Sequence, residues 1–304
     1  MTQRSWNVQR VLVTGGHGFI GSHLVKRLRA EGSIVTILGR HCSHETDLVA
    51  DLGSREATLN VLQGLTFDAV FHLASSGINP ETDGTVSLLH TNAEGTENLL
   101  AALEQRPACP IVVAGSWTEY GRIPGGTMHE GDACAPRSVY GISKLASTLI
   151  STAWATRQDR PLSVLRFFNV WGPGEPAHRL GPSIVHAFQQ GQRPRLGDPT
   201  FRRDFVHVDD VVEALLLAAG CHSVGEIYNV GTGVSRSLEE IVGLIRTASG
   251  TGLDAEWHTS TPRTWDVEIA QASTEKFRSH FGWTPTIRFE DRVHELLVTS
   301  RETA

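Results

Sequence analysis

The chain is poor in the features that mark a protein for an oxidising or membrane setting. Its four cysteines, Cys42, Cys109, Cys134 and Cys221, lie far apart with no C-x-x-C pair. That spacing argues against a disulfide framework and against a zinc site, so no metal is expected. No segment approaches 18 apolar residues, and the opening MTQRSWNVQR lacks the apolar core that a signal peptide needs. A basic block is also missing: the formal net charge is −6, with 20% charged residues. Nucleic acid is therefore not an expected partner, and any anionic ligand must be met by local cations. There is no internal repeat and no low-complexity segment. These absences leave a soluble, cytoplasmic protein of 304 residues, long enough to bury a full core without staples.

What is present begins at Val11. The apolar run Val11-Leu12-Val13 leads into Gly15, Gly18 and Gly21, and Ile20–Arg29 has helical spacing with Leu24, Val25 and Leu28 on one face. A strand, a glycine turn and a helix in that order make a phosphate cradle. Glycine admits positive φ and brings no side chain between a pyrophosphate and the backbone N–H groups, while the helix start adds partial positive charge. Gly16-x-Gly18-x-x-Gly21 is the dinucleotide fingerprint in its proper context.

Further apolar runs at 33–38, 48–50, 69–73, 111–114 and 162–167 predict strands, and 54–63, 86–103 and 139–155 predict helices. Their alternation predicts βαβ units, hence a doubly wound parallel sheet with ligand beyond the strands' C-terminal ends. From about Val170, Pro, Gly and Arg become frequent, in WGPGE (171–175) and GQRPRLGDPTFRRDF (191–205). Helices are expected at 209–219, 238–248, 273–280 and 291–298, with one strand at 226–230. That is too few strands for an independent sheet of normal size. The expected fold is α/β: a Rossmann domain of residues 1–169 and about 207–232, and a smaller C-terminal substrate lobe of about 170–206 and 233–304.

Tyr140 and Lys144 lie four apart in a helical stretch and so share a face. A phenol exchanges protons near neutral pH only if its pKa falls well below about 10, which an ammonium one turn away promotes. Ser116 follows the fifth strand, where a sheet presents ligand groups, and its hydroxyl can donate to a carbonyl or alkoxide. His207 precedes Asp209, an expected helix N-cap, and reads as structural; His72 ends a buried strand and could line the cofactor pocket. Trp117, Trp171 and Trp265 are as suited to packing as to stacking on a base, and Cys134 has no evident role.

The run of motifs TGGHGFIG (14–21), HLA (72–74), NAEGTENLL (92–100), YGISK (140–144), LRFFNVWGPGE (165–175), RRDFVHVDD (202–210), YNVGTG (228–233) and FGWTP (281–285) resembles the extended short-chain dehydrogenase/reductases that act on nucleotide sugars as epimerases, dehydratases or reductases. The resemblance implies a Ser116/Tyr140/Lys144 catalytic set and a nicotinamide cofactor. Tyr140 and Lys144 would also touch that cofactor, with Gly15, Gly18, Phe19, Ile20, Gly39, Arg40, Asp51, Leu52, Leu73 and Ala74. It further implies that Ser116, Thr118, Asn169, Arg203 and Arg263 contact a nucleoside-diphosphate sugar, the arginines clamping the diphosphate with their fork of donors. A homodimer through the 86–103 and 139–155 helices is expected on the same basis.

Two departures narrow the chemistry. Family dehydratases carry an Asp-Glu pair directly after the strand-end hydroxyl, where this chain has Trp117 and Thr118; Glu119 comes one position too late. At the end of the second strand an NAD site wants an acid for the ribose 2′-OH, but the chain has Gly39-Arg40-His41. Glycine leaves room for a 2′-phosphate and Arg40 can pair with it, which favours NADP(H) over NAD(H). A net reductase gains from the NADPH pool, whereas an epimerase recycles its own NAD. The expectation is a keto-sugar reductase, with an NAD-holding epimerase as the alternative and a 4,6-dehydratase or a non-catalytic NADP(H) sensor behind it.

Overall fold

The computed structural model describes residues 9–41, 44–45, 47–77, 84–259 and 266–302. In chain order the elements are β1 (Arg10–Thr14), α1 (Phe19–Ala30), β2 (Ile34–Gly39), β3 (Leu48–Val49), α2 (Arg55–Leu62), β4 (Ala69–His72), α3 (Thr85–Leu89), a π turn (His90–Glu94), α4 (Gly95–Glu104), β5 (Ile111–Ser116), a 3₁₀ turn (Trp117–Glu119), β6 (Thr127–Met128) and α5 (Val139–Gln158). They continue with β7 (Leu162–Phe167), β8 (Asn169–Trp171), α6 (Leu180–Gln189), β9 (Arg202–His207), α7 (Val208–Ala219), β10 (Val224–Val230), β11 (Ser235–Ser237), α8 (Leu238–Ser249), β12 (Ile269–Ala272), α9 (Glu275–Phe281), α10 (Phe289–Arg292) and α11 (Glu295–Glu302). No described helix is long and apolar enough to cross a membrane.

The chain divides into two units. The first comprises Met1–Glu119, Ser138–Arg166 and Val212–Tyr228; the second comprises Tyr120–Arg137, Phe167–Val211 and Asn229–Ala304. Segment 120–137, inside the range expected for the dinucleotide domain, groups with the second unit.

In the first unit seven strands run in the order β10-β7-β5-β4-β1-β2-β3, a doubly wound parallel sheet. Strand β1 pairs in parallel with both β2 and β4, so the strand order diverges there and a crevice opens beyond the ends of β1 and β4. Val11, Leu12, Val13, Val70 and Phe71 are fully buried, as continuous apolar strands between two helical layers must be. Packing around Leu12, Val70, Leu99, Val113 and Val164 forms the core of this unit.

The second unit overturns one expectation, because it builds a five-stranded mixed sheet of its own: β11-β9-β12-β6, with β8 paired in parallel to the C-terminal half of β9. Its strands are two to six residues long and polar in sequence (Arg202-Arg203-Asp204, Ser235-Arg236-Ser237), so neither length nor alternation marks them. Buried side-chain partners stabilise their polar positions. Asp204 is fully buried and accepts from the backbone N–H groups of Thr232, Gly233 and Ala272 and from the Thr232 hydroxyl. Trp171, Phe188, Phe205, Ile241 and Phe289 fill the core behind them.

Four further differences have local causes. The stretch 86–103 is not one helix: the π turn interrupts it at Asn92. Helix α6 was not foreseen; its Pro182 sits in the first turn, where the missing N–H has no helical partner to lose. The C-terminal segment divides into α10 and α11. Asp209 lies inside α7 instead of capping it, and the buried His207 ring accepts the Asp209 N–H at 3.2 Å.

Candidate active site

The glycine loop is built by close approach. Gly15 has φ +70°, and a Cβ there would lie 2.7 Å from the Ala74 backbone nitrogen, so only glycine lets the turn after β1 rest on Leu73 and Ala74 after β4. A Cβ on Gly21 would run into the Gly15 carbonyl, which fixes how closely α1 approaches the loop. Helix α1 begins after Gly18 with no side-chain cap, so its first N–H groups stay available for an anion. Phe19 and Ile20 are half-buried in that first turn.

Around this loop lie the other residues expected to touch a dinucleotide. Gly39 ends β2 and accepts the Ala50 N–H at 3.0 Å; Arg40 follows it and is exposed. Asp51 is exposed and accepts the Gly53 N–H at 3.0 Å, whereas Leu52 is buried. A cavity of about 460 Å³ beside the loop carries cationic or ionisable lining from His17, Lys26, Arg29 and His44, and His17 lies 2.9 Å from the Asp47 carboxylate.

Helix α5, which carries Tyr140 and Lys144, packs against β5, which ends at Ser116, and against the 3₁₀ turn that follows it. Ser138 caps the helix by accepting the Gly141 N–H at 3.0 Å, which places Tyr140 in the first turn. Gly77 has φ +104°, and a Cβ there would lie 2.7 Å from Tyr140 Cδ2, so this glycine makes room for the phenol ring. Lys144 is buried, and burial pushes its ammonium down to about 8 against the opposing pull of Glu119. Ser116 is buried, and its Oγ lies 2.8 Å from the Thr118 hydroxyl.

Three residues at this site escaped the sequence reading. Asn92, in the π turn, donates to the Ser143 hydroxyl at 2.9 Å and to the Ser76 carbonyl at 2.9 Å, holding α5 to the loop after β4. Its signal would have been a polar residue on the buried face of an apolar helix; π turns often occur at such sites. Thr96 lies 2.9 Å from His72 Nε2 and 2.8 Å from the Ser147 hydroxyl, while His72 Nδ1 lies 2.7 Å from Thr14 Oγ1. His72 is thus part of a buried chain from β1 to α5, and burial, with Lys144 nearby, pushes its imidazole down to about 3 and keeps it neutral. Glu119, the carboxylate dismissed as misplaced, is fully buried and paired with Arg166 Nε at 2.8 Å.

In the second unit Asn169 Nδ2 donates to the Asp204 carbonyl at 3.1 Å, tying β8 to β9. Arg203 Nη1 donates to the carbonyls of Arg202 and Val267, and its Nη2 lies 3.7 Å from Asp266. Arg263 and Trp265 lie outside the described residues. Trp171 is a core residue, packed edge-on to His207 and against Phe289.

A doubly wound parallel sheet, a glycine loop at its switch point and a Tyr-x-x-x-Lys helix against the strand-end serine define an enzyme of the short-chain dehydrogenase/reductase type. The chain belongs to the NAD-dependent epimerase/dehydratase family, whose model matches residues 11–231. It is similar to the dTDP-6-deoxy-L-talose 4-dehydrogenase (NAD(P)+) of Kitasatospora kifunensis, with 32% identity covering 97% of this chain and 96% of the relative. Similarity to the UDP-glucose 4-epimerase of Mycolicibacterium smegmatis is 30%, over 93% and 96%. Among solved structures, MoeE5 in complex with UDP-glucuronic acid and NAD superposes with a TM-score of 0.86 at 34% identity, covering 97% of this chain and all of that one. The chain is accordingly an NAD(P)-dependent enzyme of nucleotide-sugar metabolism.

Proposed function

We propose that this enzyme is an NADP(H)-dependent reductase of a nucleotide-linked keto-sugar. The end of β2 carries the reading: Gly39 leaves space, Arg40 is exposed beside it, and no acid stands where a ribose 2′-OH would need one. An acid there would repel a 2′-phosphate; an arginine fork attracts it. The residues present fit a dinucleotide, with Gly15, Gly18, Phe19 and Ile20 cradling the pyrophosphate. Asp51 and Leu52 would hold the adenosine end, Leu73 and Ala74 would border the dinucleotide, and Arg40 would pair with a 2′-phosphate. A nicotinamide cofactor, when bound, would supply or receive the hydride.

The chain's own residues handle the oxygen. Ser116 Oγ donates to the sugar carbonyl and polarises it. Tyr140 gives its phenolic proton to that oxygen as charge develops there, and the Lys144 ammonium stabilises the resulting phenolate. Thr118 shares the Ser116 hydroxyl and holds its rotamer. Asn169, Arg203 and Arg263 bind the nucleoside diphosphate, for which Arg203 exchanges its present carbonyl and Asp266 contacts for phosphate oxygens. A 4,6-dehydratase is disfavoured, because Glu119 points inward to Arg166 and no carboxylate follows Ser116 at the two positions that reaction uses. The exposed Ile142 and Leu149 on α5 and Val86 and Leu89 on α3 support a homodimer through these helices.

Likeness to the epimerase and to the MoeE5 complex favours a second reading, an epimerase that retains NAD. Purified protein separates the two. We expect NADPH consumption on a dTDP-4-keto-6-deoxy sugar, no NAD surviving gel filtration, and in Arg40→Ala a KM for NADPH raised about 10–100-fold with that for NADH unmoved. Retained NAD with interconversion of UDP-hexoses would establish the epimerase instead.

A further inference from the structure

Glu119 occupies a place that the proposed mechanism leaves unused. It closes the 3₁₀ turn after β5 with its carboxylate fully buried. One oxygen accepts the backbone N–H of Ser116 at 2.7 Å; the other accepts the Thr148 hydroxyl at 2.9 Å and Arg166 Nε at 2.8 Å. Burial pushes this carboxyl above the ordinary carboxylate range, while Arg166 and the Ser116 N–H, both donors, favour its ionised form. Thr148 lies one turn beyond Lys144, which itself lies one turn beyond Tyr140, so the three share a stripe of α5. Gly115 makes the fit possible, since a Cβ there would lie 2.9 Å from Glu119 Oε1.

We propose that Glu119 is a positioning residue, whose buried carboxylate joins the Ser116 backbone to the Tyr140–Lys144–Thr148 stripe and fixes the serine against the catalytic helix. The inference rests on the Ser116/Tyr140/Lys144 reading and deepens it. Tethering matters because small displacements between donor and phenol cost rate steeply. The carboxylate also acts on charge. Glu119 from the turn is the charged group that acts on Lys144; Arg166 on β7 pairs with that carboxylate, neutral His72 on β4 feels the Lys144 charge, Tyr140 lies one turn before Lys144, and the π turn and α4 bring uncharged Asn92 and Thr96 to α5. Burial drives Lys144 toward its neutral form, and Glu119 opposes this.

Two measurements test the proposal without depending on each other. The chain has three lysines, Lys26, Lys144 and Lys276, so a ¹³C-lysine NMR titration resolves Lys144 directly, assigned with Lys144→Met. In Glu119→Gln, which keeps the side-chain shape, the Lys144 midpoint should fall by about 1 unit below its wild-type value. Turnover should fall about 10–100-fold in kcat, with the KM for the nicotinamide cofactor unmoved. Thr148→Val breaks one tether without changing charge; it should lower kcat several-fold and leave the Lys144 midpoint in place. An unmoved Lys144 midpoint in Glu119→Gln overturns the proposal. So does a kcat loss that merely tracks the melting temperature, or, if that variant does not fold, wild-type kcat in Thr148→Val. Tyr140→Phe serves as the control: if it retains full turnover, the catalytic reading itself has failed, whatever Glu119 does.

Discussion

Beside the charged Glu119, Arg166 and Lys144, buried polar side chains in the first unit form a neutral chain, Thr14 to His72 to Thr96 to Ser147, in which hydroxyls and one imidazole satisfy one another. In the second unit they are carboxylates ringed by backbone N–H groups. Asp204 holds Thr232, Gly233 and Ala272, and Asp210 holds Thr286 and Ile287. The first arrangement connects elements that apolar packing already places, and so tunes the site they carry. The second adds to an apolar core, fixing loops and short polar strand positions that the core does not reach. The same burial therefore serves alignment in one unit and construction in the other.

This contrast predicts opposite responses to deletion. Tyr140→Phe, in the first unit, should give the largest effect on function and none on folding: turnover down about 10²–10⁴-fold, with melting temperature and cofactor affinity held. Retained turnover would mean that α5 displays the phenol to no purpose. Asp204→Ala, in the second, should do the reverse. It strands several buried N–H donors and should cost about 3 kcal/mol by chemical denaturation. Thr96→Val, which breaks the neutral chain at its branch point, should cost about 1 kcal/mol. Equal costs for the two substitutions would erase the distinction between the units.

The same contrast decides what could be read from the chain. The parallel sheet was legible because its strands are apolar runs separated by amphipathic helices, and the glycine loop because a backbone packed on Ala74 tolerates no other residue at Gly15. Strands β9 and β11 were not legible, because RRDFVH and SRS owe their pairing to Asp204 and to partners far along the chain, such as Gln271, which accepts from Ser235. At the site, Ser116, Tyr140 and Lys144 stood out by type and spacing. Glu119 did not, since its relevance depends on Thr148 and Arg166 meeting it in space. Asn92 was hidden by a helical pattern that continues on both sides of the π turn.

The last prediction concerns acid, where two buried groups, His72 in the first unit and Glu175 in the second, pull in opposite directions. His72 is held at about 3 when folded against an ordinary 6.5, so below pH 6.5 the unfolded chain binds the proton first and stability is lost as pH falls. Glu175, in the second unit, is pushed up to about 7 by burial, with Arg179 opposing; the ordinary value is 4.5. Between pH 4.5 and 7 the folded chain binds that proton first, so stability is gained as pH falls. From pH 7 to pH 5 the two contributions largely cancel. Glu175→Gln removes one of them, and the variant should therefore lose about 2 kcal/mol relative to wild type over that interval in urea titrations at fixed ionic strength. Parallel pH profiles for variant and wild type would show that the Glu175 carboxyl titrates as it would in water.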